Sequence, residues 1–83
     1  MPAAQLVEYV AKSLADNPDG VSVEVEEDGD AIVLRLIVDE DDMGRVIGRN
    51  GSIAKALRSL LKVVSNRTGE NYVLEIEIGR AHV

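Results

Sequence analysis

Between residues 3 and 16 the apolar positions Ala3, Leu6, Val7, Val10 and Leu14 recur at three-to-four spacing, with Gln5, Glu8, Lys12 and Asp16 elsewhere around the wheel. That period predicts an amphipathic helix over 3–16. Asn17-Pro18-Asp19-Gly20 stops it and turns the chain. The period then falls to two: Val21, Val23 and Val25 alternate with Ser22, Glu24 and Glu26, which predicts a half-buried strand over 21–27. Asp28-Gly29 is a hairpin signal. The run Ala31 to Val38 is apolar on nearly both faces and predicts a strand in the middle of the sheet.

After Asp39-Glu40-Asp41-Asp42 the segment Met43–Ile47 predicts a short helix capped by aspartate. Gly48-Arg49-Asn50-Gly51 interrupts it, and a longer helix follows over 52–66 with Ile53, Leu57, Leu60, Leu61 and Val64 as its buried stripe. Lys55, Arg58 and Lys62 fall on the opposite side of that wheel, and Gly69 suits a left-handed helix end. Tyr72, Leu74, Ile76 and Ile78 alternate with Glu75 and Glu77 in a last strand, and 79–83 reads as a tail. The expected architecture is α+β. It is a two-layer sandwich in the order α-β-β-α-α-β, with a three-stranded mixed sheet and the helices on one face. A right-handed crossover sets the last strand parallel to the second. All 83 residues read as a single domain with its core over about 3–78.

Composition narrows the possibilities. A chain of 83 residues buries only about 60% of the surface its unfolded form exposes, so one modest core is expected. With no cysteine, disulfides, thiolate metal sites and thiol nucleophiles are excluded. No apolar run suits a membrane span, and the first residues do not resemble a signal peptide. A soluble, cytoplasmic protein is expected.

Net charge is −6, but it is unevenly spread. Residues 1–42 carry two basic and twelve acidic groups (−10), and residues 43–83 carry seven basic and three acidic ones (+4). The 27 residues from Met43 to Gly69 include Arg45, Arg49, Lys55, Arg58, Lys62 and Arg67 and no acid. Because salt screens charges beyond about 8–10 Å, such a patch acts on its own surroundings whatever the total charge.

The candidate chemistry lies in Val46-Ile47-Gly48-Arg49-Asn50-Gly51-Ser52-Ile53. Two glycines around two polar residues allow a sharp turn without Cβ atoms and leave amides exposed where the second helix begins. A helix start carries about half a positive charge and suits a phosphate. Arg49 adds a cation at the tip. The spacing is neither a P-loop nor a dinucleotide fingerprint. A DNA-reading helix-turn-helix would share the two helices and the turn, but the flanking strands fit it less well. Asp39 to Asp42 read as a cap and a solvated acidic turn, because consecutive carboxylates cannot all converge on a metal. His82 reads as part of the tail. Tyr9 and Tyr72 are the only aromatic residues, which disfavours the modes of RNA recognition that need a stacking platform. No nucleophile–base pair is evident, so no catalysis, cofactor or metal is expected.

In this context the chain resembles the KH domain family in its type II topology, and within it the small single-domain bacterial KH proteins. The segment from Asp42 to Gly51, continuing to Lys55-Ala56-Leu57-Arg58, carries most of the likeness. The resemblance implies binding of single-stranded RNA, with about four nucleotides clamped by the Gly-x-x-Gly loop. By position the clamp is Gly48, Arg49, Asn50 and Gly51. Arg45, Ile47 and Lys55 line the groove beside it, and Arg58 is an outer phosphate contact. The resemblance also implies homodimers and a KH-containing partner of the KhpB type. The competing expectation is a protein-interaction module that pairs with itself or such a partner, with RNA contact secondary.

Overall fold

The backbone follows the predicted order, with boundaries that shift by a residue or two. The computed structural model describes residues 2–79. Helix α1 spans Pro2–Leu14, strand β1 Ser22–Asp28, strand β2 Ala31–Val38, helix α2 Met43–Ile47, helix α3 Ser52–Thr68 and strand β3 Asn71–Ile78. Single 3-10 turns at Pro18–Gly20, Glu40–Asp42 and Arg49–Gly51 join them. The sheet order is β1-β2-β3. β1 and β2 are antiparallel, in register from Ser22 opposite Ile37 to Asp28 opposite Ala31. β2 and β3 are parallel, from Ala31 opposite Asn71 to Val38 opposite Ile78. No helix among the described residues is long and apolar enough to cross a membrane.

The register sorts side chains onto two faces. Val23, Leu36 and Ile76 share one row, and Val25, Leu34 and Leu74 the next. This face packs on Val7 and Ala11 of α1, Val46 of α2, and Leu57 and Leu61 of α3. Burying each such aliphatic side chain stabilises the fold by about 1.5–3 kcal/mol. The opposite face rows Glu24 with Arg35 and Glu75, and Ser22 with Ile37 and Glu77. Arg35 there meets Glu26 at 2.8 Å, Glu77 at 3.1 Å, Glu75 at 3.6 Å and Glu24 at 3.7 Å. The hydrogen bond to Glu26, with the charges of Glu77 and Glu75 adding to it, pushes the guanidinium pKa further up.

Several expectations need correction. α1 ends at Leu14, not at 16, and its buried seam is Ala3, Val7 and Ala11, while Leu14 stands outside. The i, i+4, i+8 line of small residues lets the helix lie close to the sheet. Val25 is 58% exposed, because it lies towards the hairpin end of β1, beside a shallow apolar groove with Ala4, Ile32 and Tyr72. Leu60 is 47% exposed, and Ala54 takes the buried place beside Leu57 and Leu61. The hairpin turn is Gly29-Asp30, one residue on from the expected pair, with Gly29 at φ +62° in the manner of a type II′ turn. Gly79 is no tail residue: its N–H donates to Val38 O at 2.8 Å and extends the β2–β3 ladder. The rest of the expected tail, including His82, lies outside the described residues.

The acidic turn differs most from its reading. Asp42 is buried, and its carboxylate does not cap α2. It accepts the N–H groups of Asp16 at 2.9 Å and Asn17 at 3.0 Å instead, tying the end of α1 to the start of α2. These two backbone hydrogen bonds, helped by Arg45, hold its carboxyl below the ordinary carboxylate range. Asn17 Nδ2 donates to Asp39 Oδ2 at 2.6 Å and closes the same junction.

Candidate nucleic-acid interface

The loop between α2 and α3 is built by backbone conformation. Fully buried Val46 fixes α2 in the core, and half-buried Ile47 ends it. Gly48 N–H donates to Gly44 O at 2.9 Å, and the chain then turns with φ +83° at Gly48, +57° at Asn50 and +76° at Gly51. Asn is the non-glycine residue most at home in that region, and glycine adopts it without cost. Gly51 N–H donates to Gly48 O at 3.1 Å and Ser52 N–H to Arg49 O. The amides of Arg49 and Asn50 take no partner among the described residues, and both side chains are exposed.

The two glycines do different things. A Cβ on Gly48 would fall 2.7 Å from Ile53 Cγ1 and 2.9 Å from Ile53 N, so this residue presses the loop back onto α3. A Cβ on Gly51 would meet nothing nearer than Lys55 Cε at 3.9 Å. Of the two absent side chains, only that of Gly51 leaves open space on the loop surface. Immediately after it α3 begins, with no side-chain cap and no acid in its first turn. Its unsatisfied amides and dipole favour an anion at this spot.

From the loop a line of cations runs down α3. Lys55, Arg58 and Lys62 are spaced three and four residues apart and share one exposed face. Beside the far part of that line a cleft of about 430 Å³ separates α3 from β3, walled by Arg58, Lys62, Ser65, Asn66 and Tyr72. Arg58 Nη2 donates to Leu74 O at 3.2 Å, and Tyr72 N–H donates to Ser65 Oγ at 3.0 Å. Arg58 therefore stands at the mouth of the cleft, and Ser65, Asn66 and Tyr72 join the expected residues as lining. Lys62 was legible in the sequence, since it lies four residues after Arg58 on the same face.

The predicted site residues thus divide. Gly48, Arg49, Asn50, Gly51 and Lys55 stand together at the loop and the start of α3, and Arg58 leads into the cleft. Arg45 is held elsewhere: its guanidinium meets Asp16 at 3.0 Å and Asp42 at 3.4 Å and donates to Asp41 O at 2.9 Å. By contrast Arg49, Lys55, Lys62 and Arg67 form no ion pair among the described residues. Asp39, Glu40, Asp41 and Asp42 form no group fit to hold a metal.

This arrangement, a left-handed Gly-x-x-Gly loop between two helices of a β-α-α-β unit, coincides with a known family. The model of the KhpA/KhpB KH domain matches residues 4–76. The chain belongs to the KhpA/KhpB KH-domain family. Among curated relatives, the RNA-binding protein KhpA of Clostridium perfringens is 43% identical over 72 residues, 87% of this chain and 96% of the relative. The RNA-binding protein KhpA of Aquifex aeolicus is 44% identical over 71 residues, 86% of this chain and 90% of the relative. Among solved structures, Era in complex with MgGDPNP and nucleotides 1506–1542 of 16S ribosomal RNA superposes with a TM-score of 0.59 at 23% identity. That match covers 92% of this chain and 29% of the Era chain, and it is a likeness of fold alone. In this KhpA/KhpB-family chain the loop of 48–51 stands at the start of α3, and the cleft lies farther along the same helix, between Arg58 and Asn66 on α3 and the first half of β3.

Proposed function

We propose that this chain is a non-catalytic protein that binds single-stranded RNA, gripping the sugar-phosphate backbone with Gly48-Arg49-Asn50-Gly51. The observation that carries the reading is the loop tip. There Arg49 and two amides without a partner among the described residues, together with an open Gly51, adjoin the uncapped start of α3. Phosphate is the ligand these groups share. Lys55 continues the track, and the cleft beside Arg58 takes unstacked bases. Arg45 contributes by bracing α2 through Asp42 and Asp16, and Ile47 by setting the loop on its helix. The relatives' name, RNA-binding protein KhpA, agrees with this reading.

Contacts in one such module are few, so affinity is expected near the micromolar range. Neutralising about three phosphates gives a slope of log K against log salt near −2, at roughly −0.7 per charge for single strands. A cytoplasmic RNA chaperone or post-transcriptional regulator, working as a single KH module, is the corresponding role. Pairing with a second copy or with a KhpB-type protein belongs to the same proposal, because avidity would raise the weak affinity of one module. The test is a fluorescence anisotropy titration of labelled single-stranded RNA with wild type and Arg49→Asp/Asn50→Asp. Circular dichroism checks that the variant is folded. Affinity is expected to fall at least about tenfold in the folded variant. Equal binding by both proteins overturns the clamp and makes the chain an interaction module.

A further inference from the structure

We propose that Arg58 sets the base preference of the cleft by covering one main-chain acceptor on the edge of β3. The inference rests on the RNA reading above and concerns which bases the cleft accepts.

Strand parity decides which main-chain groups of β3 are open. Gly79 N–H bonds Val38 O, so the odd-numbered main-chain groups of β3 face β2. Those of Tyr72, Leu74 and Ile76 face the open edge beside α3. Two of them are already engaged: Tyr72 N–H by Ser65 Oγ, and Leu74 C=O by Arg58 Nη2 at 3.2 Å. A bare strand edge offers a donor and an acceptor side by side. Adenine matches that pair, because its N6 amine donates next to an accepting ring nitrogen. At Leu74 one lone pair of the acceptor is taken, and the guanidinium lies across the approach to it. What remains there is the Leu74 N–H, which takes no partner among the described residues, and the further N–H groups of the guanidinium. The position is therefore rich in donors.

A donor-rich position selects a base with two adjacent acceptors. Cytosine presents O2 and N3, and guanine presents O6 and N7, the pair arginine reads bidentately. An adenine amine at the same place must compete with the guanidinium for the Leu74 carbonyl and faces donors instead of a free acceptor, which costs affinity. Arg58 is thus a specificity-determining residue, a different role from a contact to phosphate, which would favour every base alike.

The experiment uses labelled uridine-rich octamers whose two central bases are adenine, cytosine or guanine, measured by anisotropy against wild type, Arg58→Ala and Arg58→Lys. Wild type is expected to bind the cytosine and guanine oligomers about tenfold more tightly than the adenine one, the size of one good bidentate pair. Arg58→Ala bares the Leu74 carbonyl, so cytosine and guanine binding falls, adenine binding rises, and the ratio drops to within about twofold. Arg58→Lys keeps the charge without the fork and is expected to lose the preference as well. A uniform loss for all three oligomers in Arg58→Ala overturns the proposal, as does a wild type that binds all three alike. If Arg49→Asp/Asn50→Asp still abolishes binding in that case, the clamp stands and only the base preference fails. A wild type that binds none of the oligomers overturns both.

Discussion

On the open face of the sheet Arg35 lies within 3.7 Å of four glutamates, while Arg49 at the loop tip has no carboxylate partner among the described residues. The two regions sit in one chain of net charge −6. On the sheet the surplus acid absorbs the cation and leaves a surface that repels phosphate. Along α3 the cations keep their field because no carboxylate among the described residues pairs with them. Total charge is therefore a poor guide to partner. What matters is which cations the fold leaves unpaired, and in this protein they follow the loop and one helix face. The acidic sheet also has a use in this scheme, since it leaves RNA one favourable side of the molecule.

This contrast can be broken at several points. The largest effect is expected in the frame that holds Arg49. Gly48→Ala puts a side chain on an extended positive-φ backbone (φ +83°, ψ 170°) open essentially to glycine and adds a clash with Ile53, at a cost of about 3 kcal/mol, whereas Gly51→Ala bears only the αL backbone term of about 1 kcal/mol. Thermal unfolding of the two variants gives the difference, and equal losses would mean that the packing of Gly48 on Ile53 is unimportant. Next is the salt dependence. Arg49→Asp/Asn50→Asp is expected to flatten the slope of log K against log salt by roughly 1 where residual binding can be measured.

Arg35→Gln tests the other side of the contrast. It leaves the glutamates facing one another, so the unfolding temperature is expected to drop while RNA affinity stays within about twofold. An affinity change as large as that at the loop would mean that the sheet face takes part in binding. The smallest effect is the acid limb of stability. The Asp42 carboxyl is held low in the folded protein, so its contribution is complete above the ordinary carboxylate pKa of about 3.9 and is lost as pH falls through the depressed folded value. Asp42→Asn is expected to be less stable at neutral pH and to lose less on acidification. Parallel acid unfolding curves for the two proteins would assign the acid sensitivity to other groups.

Much of the fold was legible because periods of two and of three to four occur in separate blocks bounded by Gly and Pro. The central place of β2 followed from its two apolar faces, and the parallel β3 followed from the crossover rule. The loop was legible too, since Gly48 and Gly51 mark left-handed backbone. Other features depend on contacts between distant segments. Asp42 read as one more acid in a polar turn, yet it is buried because the amides of Asp16 and Asn17 meet it from 26 and 25 residues away. Arg45 read as a free cation for the same reason. Leu60 read as core because a helical wheel shows the apolar arc but not how much of it the sheet covers. Arg58 could be placed beside the cleft from the wheel, but its bond to Leu74 O needs the edge of β3 in view.

The packing of the loop has a consequence for engineering. Gly48 is pinned by Ile53, and Gly51 by its own backbone, but the side chains of Arg49 and Asn50 project from a frame they do not build. The two middle positions behave as a replaceable tip on a fixed handle. Asparagine, aspartate or glycine at 50, and almost anything at 49, could be exchanged without refolding the rest. Grip strength in this scaffold could then be tuned two residues at a time, leaving the cleft that reads the bases as it was.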